Sequence, residues 1–174
     1  GGVGNVARNV AALGGQARLG AVAGDDAAGA ELADLIAAED RIEDALIRPE
    51  GAATIVKTRF VAAGQQLLRL DDEAATHSGY ADKAVFRGAG AILLSDYAKG
   101  VVDDGAIQAA LWAGAEYGAP VIVDPKGRDF ARYGAVDVIK PNASELAGAT
   151  GLPTETDEQV EAALAALLAS TTAK

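Results

Sequence analysis

Three places in this 174-residue chain set acids, bases and amides directly after a short apolar run. Ala91-Ile92-Leu93-Leu94 leads into Ser95-Asp96-Tyr97-Ala98-Lys99-Gly100. Pro120-Val121-Ile122-Val123 leads into Asp124-Pro125-Lys126-Gly127. Val136-Asp137-Val138-Ile139 leads into Lys140-Pro141-Asn142-Ala143-Ser144-Glu145. Carboxylates and amides of this kind can hold hydroxyl groups, and lysines can hold phosphates as point charges. An Asn/Glu pair can also steady a hydrated magnesium ion beside phosphates, because Mg²⁺ takes oxygen ligands and keeps much of its water. A continuous apolar run of this length reads as a strand buried on both faces of a parallel sheet. Ligands of open α/β sheets bind just beyond the carboxyl ends of such strands. The pattern therefore predicts three strands opening onto one crevice, with Asp96, Lys99, Lys126, Asn142 and Glu145 at its mouth. A plainer account covers each cluster singly. Asp96 to Gly100 fits a solvated loop, and Asn142 with Glu145 three residues on fits a helix capping box.

The remaining elements must carry these strands. Residues 1–5 form a glycine-rich turn, followed by a helix with Val6, Val10 and Leu13 on one face. Gly14-Gly15 ends it. A strand over 18–23 follows, then a helix capped by Asp25 or Asp26 with Leu32, Leu35 and Ile36 as its stripe. Residues 42–47 read as a strand. Residues 54–71 alternate and turn at Ala63-Gly64, which predicts a hairpin rich in β-branched residues. Lys57, Arg59 and Arg69 concentrate there, either as charge that protects a sheet edge or as a grip for an anion. His77 falls in a polar loop over 72–78, and a helix is expected near 80–87. A helix over 103–117, buried on Ile107, Ala110, Leu111 and Gly114, joins two of the apolar runs into a βαβ unit. A further helix starts after Asn142. The last begins near Thr156, where Thr156 and Gln159 are spaced as a capping box.

Composition narrows the function. The chain is 50% hydrophobic and 23% charged, enough for one domain with a core, and its net charge is −10. That charge argues against nucleic acid or an anionic membrane surface as partner. The absence of Cys excludes disulfides and Cys-based metal sites, and one histidine cannot form a histidine cluster. No apolar run is long enough to span a bilayer and no signal peptide opens the chain, so the cytoplasm is the expected location. There is no Met, and the chain opens inside a glycine-rich loop, so it is expected to be an internal piece of a longer protein.

Two families of chemistry compete for the opening glycines. Gly2-Val3-Gly4-Asn5-Val6-Ala7 matches G-x-G-x-x-A ahead of a helix, with Asp25 about 20 residues on, as in NAD-dependent oxidoreductases. That alternative gives no role to the basic hairpin or to the strand-end clusters. The chain resembles the ribokinase (PfkB) carbohydrate kinases more broadly. Gly1-Gly2, Asn5, Ala7, Gly14 and Gly24 follow that family's first signature, with Val3 a departure from its usual Gly, Ala or Pro. Gly24-Asp25-Asp26 with Gly29 follows its G-D-D-x-x-G, and Asn142 with Glu145 follows its N-x-x-E. Within the family the resemblance is to kinases of heptose 7-phosphate. It is carried by Thr58-Arg59, residues 65–71, residues 94–100, residues 124–127 with Asp129, Phe130 and Tyr133, and residues 141–145.

The resemblance implies a ribokinase-like three-layer αβα sandwich, with a mostly parallel central sheet and a small β lid at approximately 42–71. It implies a carbohydrate-kinase domain that residues 1–174 cover in part, truncated at both ends. The implied reaction is ATP-dependent phosphorylation of a sugar phosphate, with ATP and Mg²⁺ as cofactors and a homodimer through the lid. Substrate contacts fall to Gly2, Asn5, Arg59, Gln66, Arg69, Asp96, Lys99 and Lys126. Among these, Asn5 and Asp96 are expected on sugar hydroxyls and the bases on the remote phosphate. Asn142 and Glu145 are expected near Mg²⁺–ATP, with Glu145 toward the metal. The family's G-A-G-D segment, which holds its catalytic base, has no counterpart in these residues, so no residue here takes that role. A piece without the base is expected to be inactive alone, and a sugar-phosphate-binding fragment without catalysis is the non-enzymatic alternative.

Overall fold

Short apolar runs separated by helices with acidic caps favour strands crossed over by helices. The computed structural model has that organisation, and it describes residues 2–72 and 83–173. The loop with His77 and the start of the helix expected near 80 lie outside the described residues. The chain divides into two units, Gly1–His77 and Ser78–Lys174.

In the first unit, α1 spans Gly2–Ala12, β1 Ala17–Val22, α2 Ala27–Ala37 and β2 Ile42–Ile47. Residues 2–5 are the first turn of α1, where a free turn was expected. β1 and β2 pair in parallel, from Ala17 opposite Ile42 to Val22 opposite Ile47. Ala7, Leu19, Ile36 and Ile42 form the small core beneath them, with Leu32 packed at its edge. Leu35 stays exposed, so the stripe of α2 is narrower than its sequence suggests. β3 (Val56–Ala62) and β4 (Gln65–Asp72) form an antiparallel hairpin. Its two-residue turn has positive φ at both Ala63 and Gly64, the handedness that matches strand twist. The lid expected over approximately 42–71 is thereby redrawn. Residues 42–47 belong to the parallel pair, and only the hairpin from Val56 to Asp72 stands apart.

The second unit bears out the three apolar runs as parallel strands but not their burial on both faces, since Leu93 and Val138 are each 45% exposed. β5 (Ile92–Ser95), β6 (Val121–Asp124) and β7 (Val138–Ile139) form one parallel sheet in the order β5-β6-β7. α3 (Asp104–Tyr117) connects the first two. Asp103 caps it by accepting from the Ala106 N–H, and Gly118 closes it in the left-handed conformation at φ 64°. A Cβ on Gly114 would stand 2.7 Å from Val121 Cγ2, so glycine lets the helix approach the strand. α4 (Ala143–Thr150) and α5 (Asp157–Ser170) complete the layer. Ile92, Leu94, Ile107, Val121, Val123, Phe130, Tyr133, Val136 and Leu146 are buried together. Each large aliphatic among them contributes about 1.5–3 kcal/mol by leaving water. Residues Lys83–Phe86 form a 3₁₀ turn where the sequence suggested the end of an α-helix.

Candidate functional site

The parallel register of the second unit brings the three strand ends side by side. Ser95 stands opposite Asp124, and the Asp96 N–H donates to the Asp124 carbonyl at 3.0 Å. On the other side, the Lys140 N–H donates to the Val123 carbonyl at 2.9 Å. The polar residues after each strand therefore share one edge of the sheet. Lys140 Nζ lies 3.1 Å from Asp124 Oδ1. Lys126 Nζ donates to Glu145 Oε1 at 3.2 Å.

Asn142 and Glu145 form the capping box of α4 in full. The Glu145 N–H donates to Asn142 Oδ1 at 2.9 Å, and the Asn142 N–H donates to Glu145 Oε2 at 3.0 Å. Burial alone would raise the Glu145 pKa. The Asn142 N–H and the Lys126 ammonium outweigh it, so the carboxyl lies below its ordinary value. Among the described residues no group of three or more acidic, histidine or cysteine side chains could cage a metal. One ionised carboxylate beside an amide fits a magnesium ion that keeps its water and takes its other ligands from phosphates. It does not fit a dehydrated, all-protein cage.

Asp96 lies deeper than expected. It is 5% exposed and the one charged side chain in the core among the described residues. Its Oδ1 accepts from the Ala98 N–H at 2.7 Å. Its Oδ2 accepts from the Tyr133 hydroxyl at 2.8 Å and from Arg132 Nη1 at 3.0 Å. Three of its roughly four acceptor sites are thus taken from within the protein, which leaves one on Oδ1 for a hydroxyl group. Ala98 sits at φ 53°, a left-handed conformation that costs a non-glycine residue of order 1 kcal/mol, and Gly100 follows at φ 82°. Lys99 lies between them. The Tyr133 hydroxyl in turn accepts from the Lys126 N–H at 3.1 Å. Burial, first, and the Asp96 carboxylate push the Tyr133 hydroxyl up to about 12, so it remains a donor.

In the first unit, Asn5 is exposed on α1 and shares an open polar depression with Arg8, Asn9, Glu39 and Arg41. Gly2 opens the same helix. On the hairpin, Arg59 stands directly opposite Arg69. Arg69 is held by Asp71, through Nε at 2.7 Å and Nη2 at 3.0 Å, and Lys57 Nζ reaches Asp71 at 2.9 Å. Lys57 first and Arg69 second draw the Asp71 carboxyl below its ordinary value. Arg59 has no acidic partner among the described residues. Gln66 faces Val61, just past a bulge at Phe60/Val61, and is exposed.

The structure thus joins Lys126, Asn142 and Glu145 by direct bonds, and Asp96 to the Lys126 backbone through Tyr133. Sequence reasoning missed Arg132 as a member of this edge and gave no role to Asp124 or Lys140. Asp124 and Lys140 were legible as strand-end polar residues, whereas Arg132 carries no local signal, because its partners are 30 and 36 residues away. The acids and glycines after β1 also acquire a reason. Asp26 accepts from the Gly29 N–H at 2.7 Å to cap α2, and from the Thr54 N–H at 2.8 Å. A Cβ on Gly29 would collide with the Gly24 carbonyl oxygen.

A parallel α/β sheet with its polar groups gathered at the strands' carboxyl ends is the architecture of a protein that binds a small polar ligand there. The chain belongs to the pfkB family of carbohydrate kinases, whose family model matches residues 1–174. It is 47% identical over 178 residues to the bifunctional protein HldE of Rhodospirillum rubrum, covering 97% of this chain and 36% of that protein. The ribokinase of Arabidopsis thaliana, solved with ribose and ATP, superposes with a TM-score of 0.73 at 24% identity, over 98% of this chain and 57% of that one. Phosphofructokinase-2 of Escherichia coli, solved with fructose-6-phosphate, superposes with a TM-score of 0.70 at 26% identity, over 98% and 58%. The fold is ribokinase-like. The chain spans 36–37% of the length of the first curated relatives it matches. Membership in this family sets aside the oxidoreductase alternative for Gly2 to Ala7. Among the described residues no helix is long and apolar enough to cross a membrane.

Proposed function

We propose that this chain belongs to a kinase that transfers the γ-phosphoryl group of ATP to a sugar phosphate, most specifically D-glycero-β-D-manno-heptose 7-phosphate, giving the 1,7-bisphosphate for lipopolysaccharide-core heptose. The observation that carries this is the 47% identity with a bifunctional HldE protein across 97% of the chain. The stretches that resemble heptose 7-phosphate kinases fall on the hairpin and on the three strand ends. A relative solved with fructose-6-phosphate supports a sugar that already bears a phosphate.

Phosphoryl transfer needs positioning and charge neutralisation more than covalent chemistry from the protein. Asn5 and Asp96 are each assigned to sugar hydroxyls, and Gly2 and Gln66 to the sugar as well. Its remote phosphate is assigned either to the hairpin bases Arg59 and Arg69, with Arg59 first because it has no acidic partner among the described residues, or to the strand-end bases Lys99 and Lys126. Asn142 and Glu145 are assigned to the phosphate side of ATP, with Glu145 holding a hydrated Mg²⁺ through its water. The bound ion would neutralise phosphate charge; the residues around it orient its water and the nucleotide. No residue of this chain is assigned as general base. The exposed hairpin is assigned to a homodimer contact, and the cytoplasm is the proposed location.

The test is turnover by the full-length protein with ATP and Mg²⁺, followed by phosphorus NMR of the product. Phosphorylation at the anomeric position of the heptose 7-phosphate is expected. Turnover confined to unphosphorylated sugars would remove the substrate assignment. Tight sugar-phosphate binding without any turnover would favour the binding-protein alternative.

A further inference from the structure

Asp96, Arg132 and Tyr133 are buried or half-buried, and none is needed for the fold's hydrophobic core as a charged or hydroxylated group. Their geometry gives them a common purpose. The Asp96 side chain is 3% exposed and receives three hydrogen bonds from within the protein. One of them holds Ala98 in its left-handed conformation. Arg132 spans the same loop from end to end. Its Nη1 donates to Asp96, and its Nη2 donates to the Val102 carbonyl at 3.0 Å. One planar guanidinium therefore staples both ends of residues 96–102, with Lys99 and Gly100 between the staples. Tyr133 ties the next loop to the same carboxylate. Its hydroxyl donates to Asp96 and accepts the Lys126 N–H.

We propose that Asp96, Arg132 and Tyr133 are positioning residues, a buried clamp that fixes two loop backbones so that Lys99 and Lys126 meet an anionic group of the substrate together. The proposal rests on the assignment of those lysines to the sugar phosphate given above. It adds a positioning role to the sugar contact assigned to Asp96. Lys126 Nζ rests on Glu145, so its backbone anchor decides how far the ammonium can swing once the carboxylate engages other charges.

Tyr133→Phe is the cleanest variant, because it keeps the ring that fills the core and removes one oxygen. KM and kcat for the sugar phosphate are measured in the full-length enzyme for wild type, Tyr133→Phe, Lys126→Ala and the double variant. Amide hydrogen exchange at Lys126 is followed in wild type and Tyr133→Phe. Tyr133→Phe is expected to raise KM roughly 3- to 10-fold, the effect of one lost hydrogen bond, and to speed exchange at Lys126 without speeding it across the core. In the Lys126→Ala background the same change is expected to add less than about twofold, because the two residues act through one path. Arg132→Lys, which can keep one of its two bonds but not both, is expected to raise KM as well. Multiplying losses in the double variant, or faster Lys126 exchange with an unchanged KM, would overturn the clamp and leave the proposed function standing. A Lys126→Ala enzyme with wild-type KM would overturn the assignment of Lys126 to the substrate, and the clamp with it.

Discussion

Glu145 holds three groups at once: its own helix N-terminus, the Lys126 ammonium and, in the proposed reaction, the water of a magnesium ion. Glu145→Gln separates these duties. Glutamine still accepts the Asn142 N–H, so the cap survives. The charge toward Lys126 and the metal is lost. We expect little change in thermal stability, a fall in kcat and a shift of its Mg²⁺ dependence to higher concentrations. If kcat and its Mg²⁺ dependence both stay at wild-type values, Glu145 serves the cap and the ion pair alone. The pH dependence has a definite sign. The folded carboxyl lies below its ordinary 4.5, so its contribution is present above that value and is lost as pH falls through the folded pKa. Arg59 offers a second test. A charge-assisted hydrogen bond contributes about 1.5–3 kcal/mol, so Arg59→Ala should lower kcat/KM roughly 10- to 150-fold. The same heptose lacking its 7-phosphate should suffer much less. Because Arg59 faces Arg69 across the hairpin, its removal also relieves a like-charge pair and should not lower stability. Equal losses for both sugars would leave the hairpin without a role in phosphate recognition. Residue types after each strand were legible in the sequence, but the depth of Asp96 was not. Burial there depends on Arg132 and Tyr133, which lie 36 and 37 positions further on.

At the scale of elements, helix and strand positions followed from apolar spacing and caps. Asp26, Asn142 and Thr156 cap the helices their sequence announced, whereas Asp103, read as the first residue of its helix, is the cap. The partner of residues 42–47 was not legible. Their apolar pattern marks a strand, but pairing with β1 rather than with the hairpin is a long-range choice made by the α2 crossover. The loop after β1 shows how such a choice is enforced. Asp26 bonds both α2 and Thr54, and the Gly24 N–H donates to Thr54 Oγ1 at 2.8 Å. Gly29→Ala would drive a methyl group into the Gly24 carbonyl and should cost about 1–3 kcal/mol by overpacking. A lowered Tm with an unchanged m-value would report it; an unchanged Tm would show that the loop yields without penalty. Asp26 adds a pH signature. The Thr54 N–H first, and the Gly29 N–H second, hold its carboxyl below its ordinary 3.8. The stability difference between wild type and Asp26→Asn should therefore be full above that pH and shrink as pH falls through the folded value.

For the whole molecule, charge and exposed apolar surface pull in different directions. A net charge of −10 keeps copies apart and makes any local cluster of bases the natural landing place for an anionic sugar. The hairpin nevertheless exposes Phe60, Leu68 and Leu70 at 47%, 53% and 57%. Phe60 stands opposite Leu68, and Thr58 opposite Leu70, so these side chains share one face, while Lys57, Arg59 and Arg69 lie on the other. Such a two-sided hairpin can bury its apolar face against a second copy and still offer its bases to substrate. Leu68→Lys puts a charge in the middle of that face, where burial without a partner is costly. We expect the wild-type full-length protein to sediment as a dimer at micromolar concentration and the variant to shift toward the monomer. If contact across the hairpins also steadies the strand that carries Arg59, the variant should raise KM for the sugar phosphate more at low than at high protein concentration. A wild-type monomer at tens of micromolar, or a variant that stays dimeric, would detach the hairpin from assembly and leave its apolar face for another occupant.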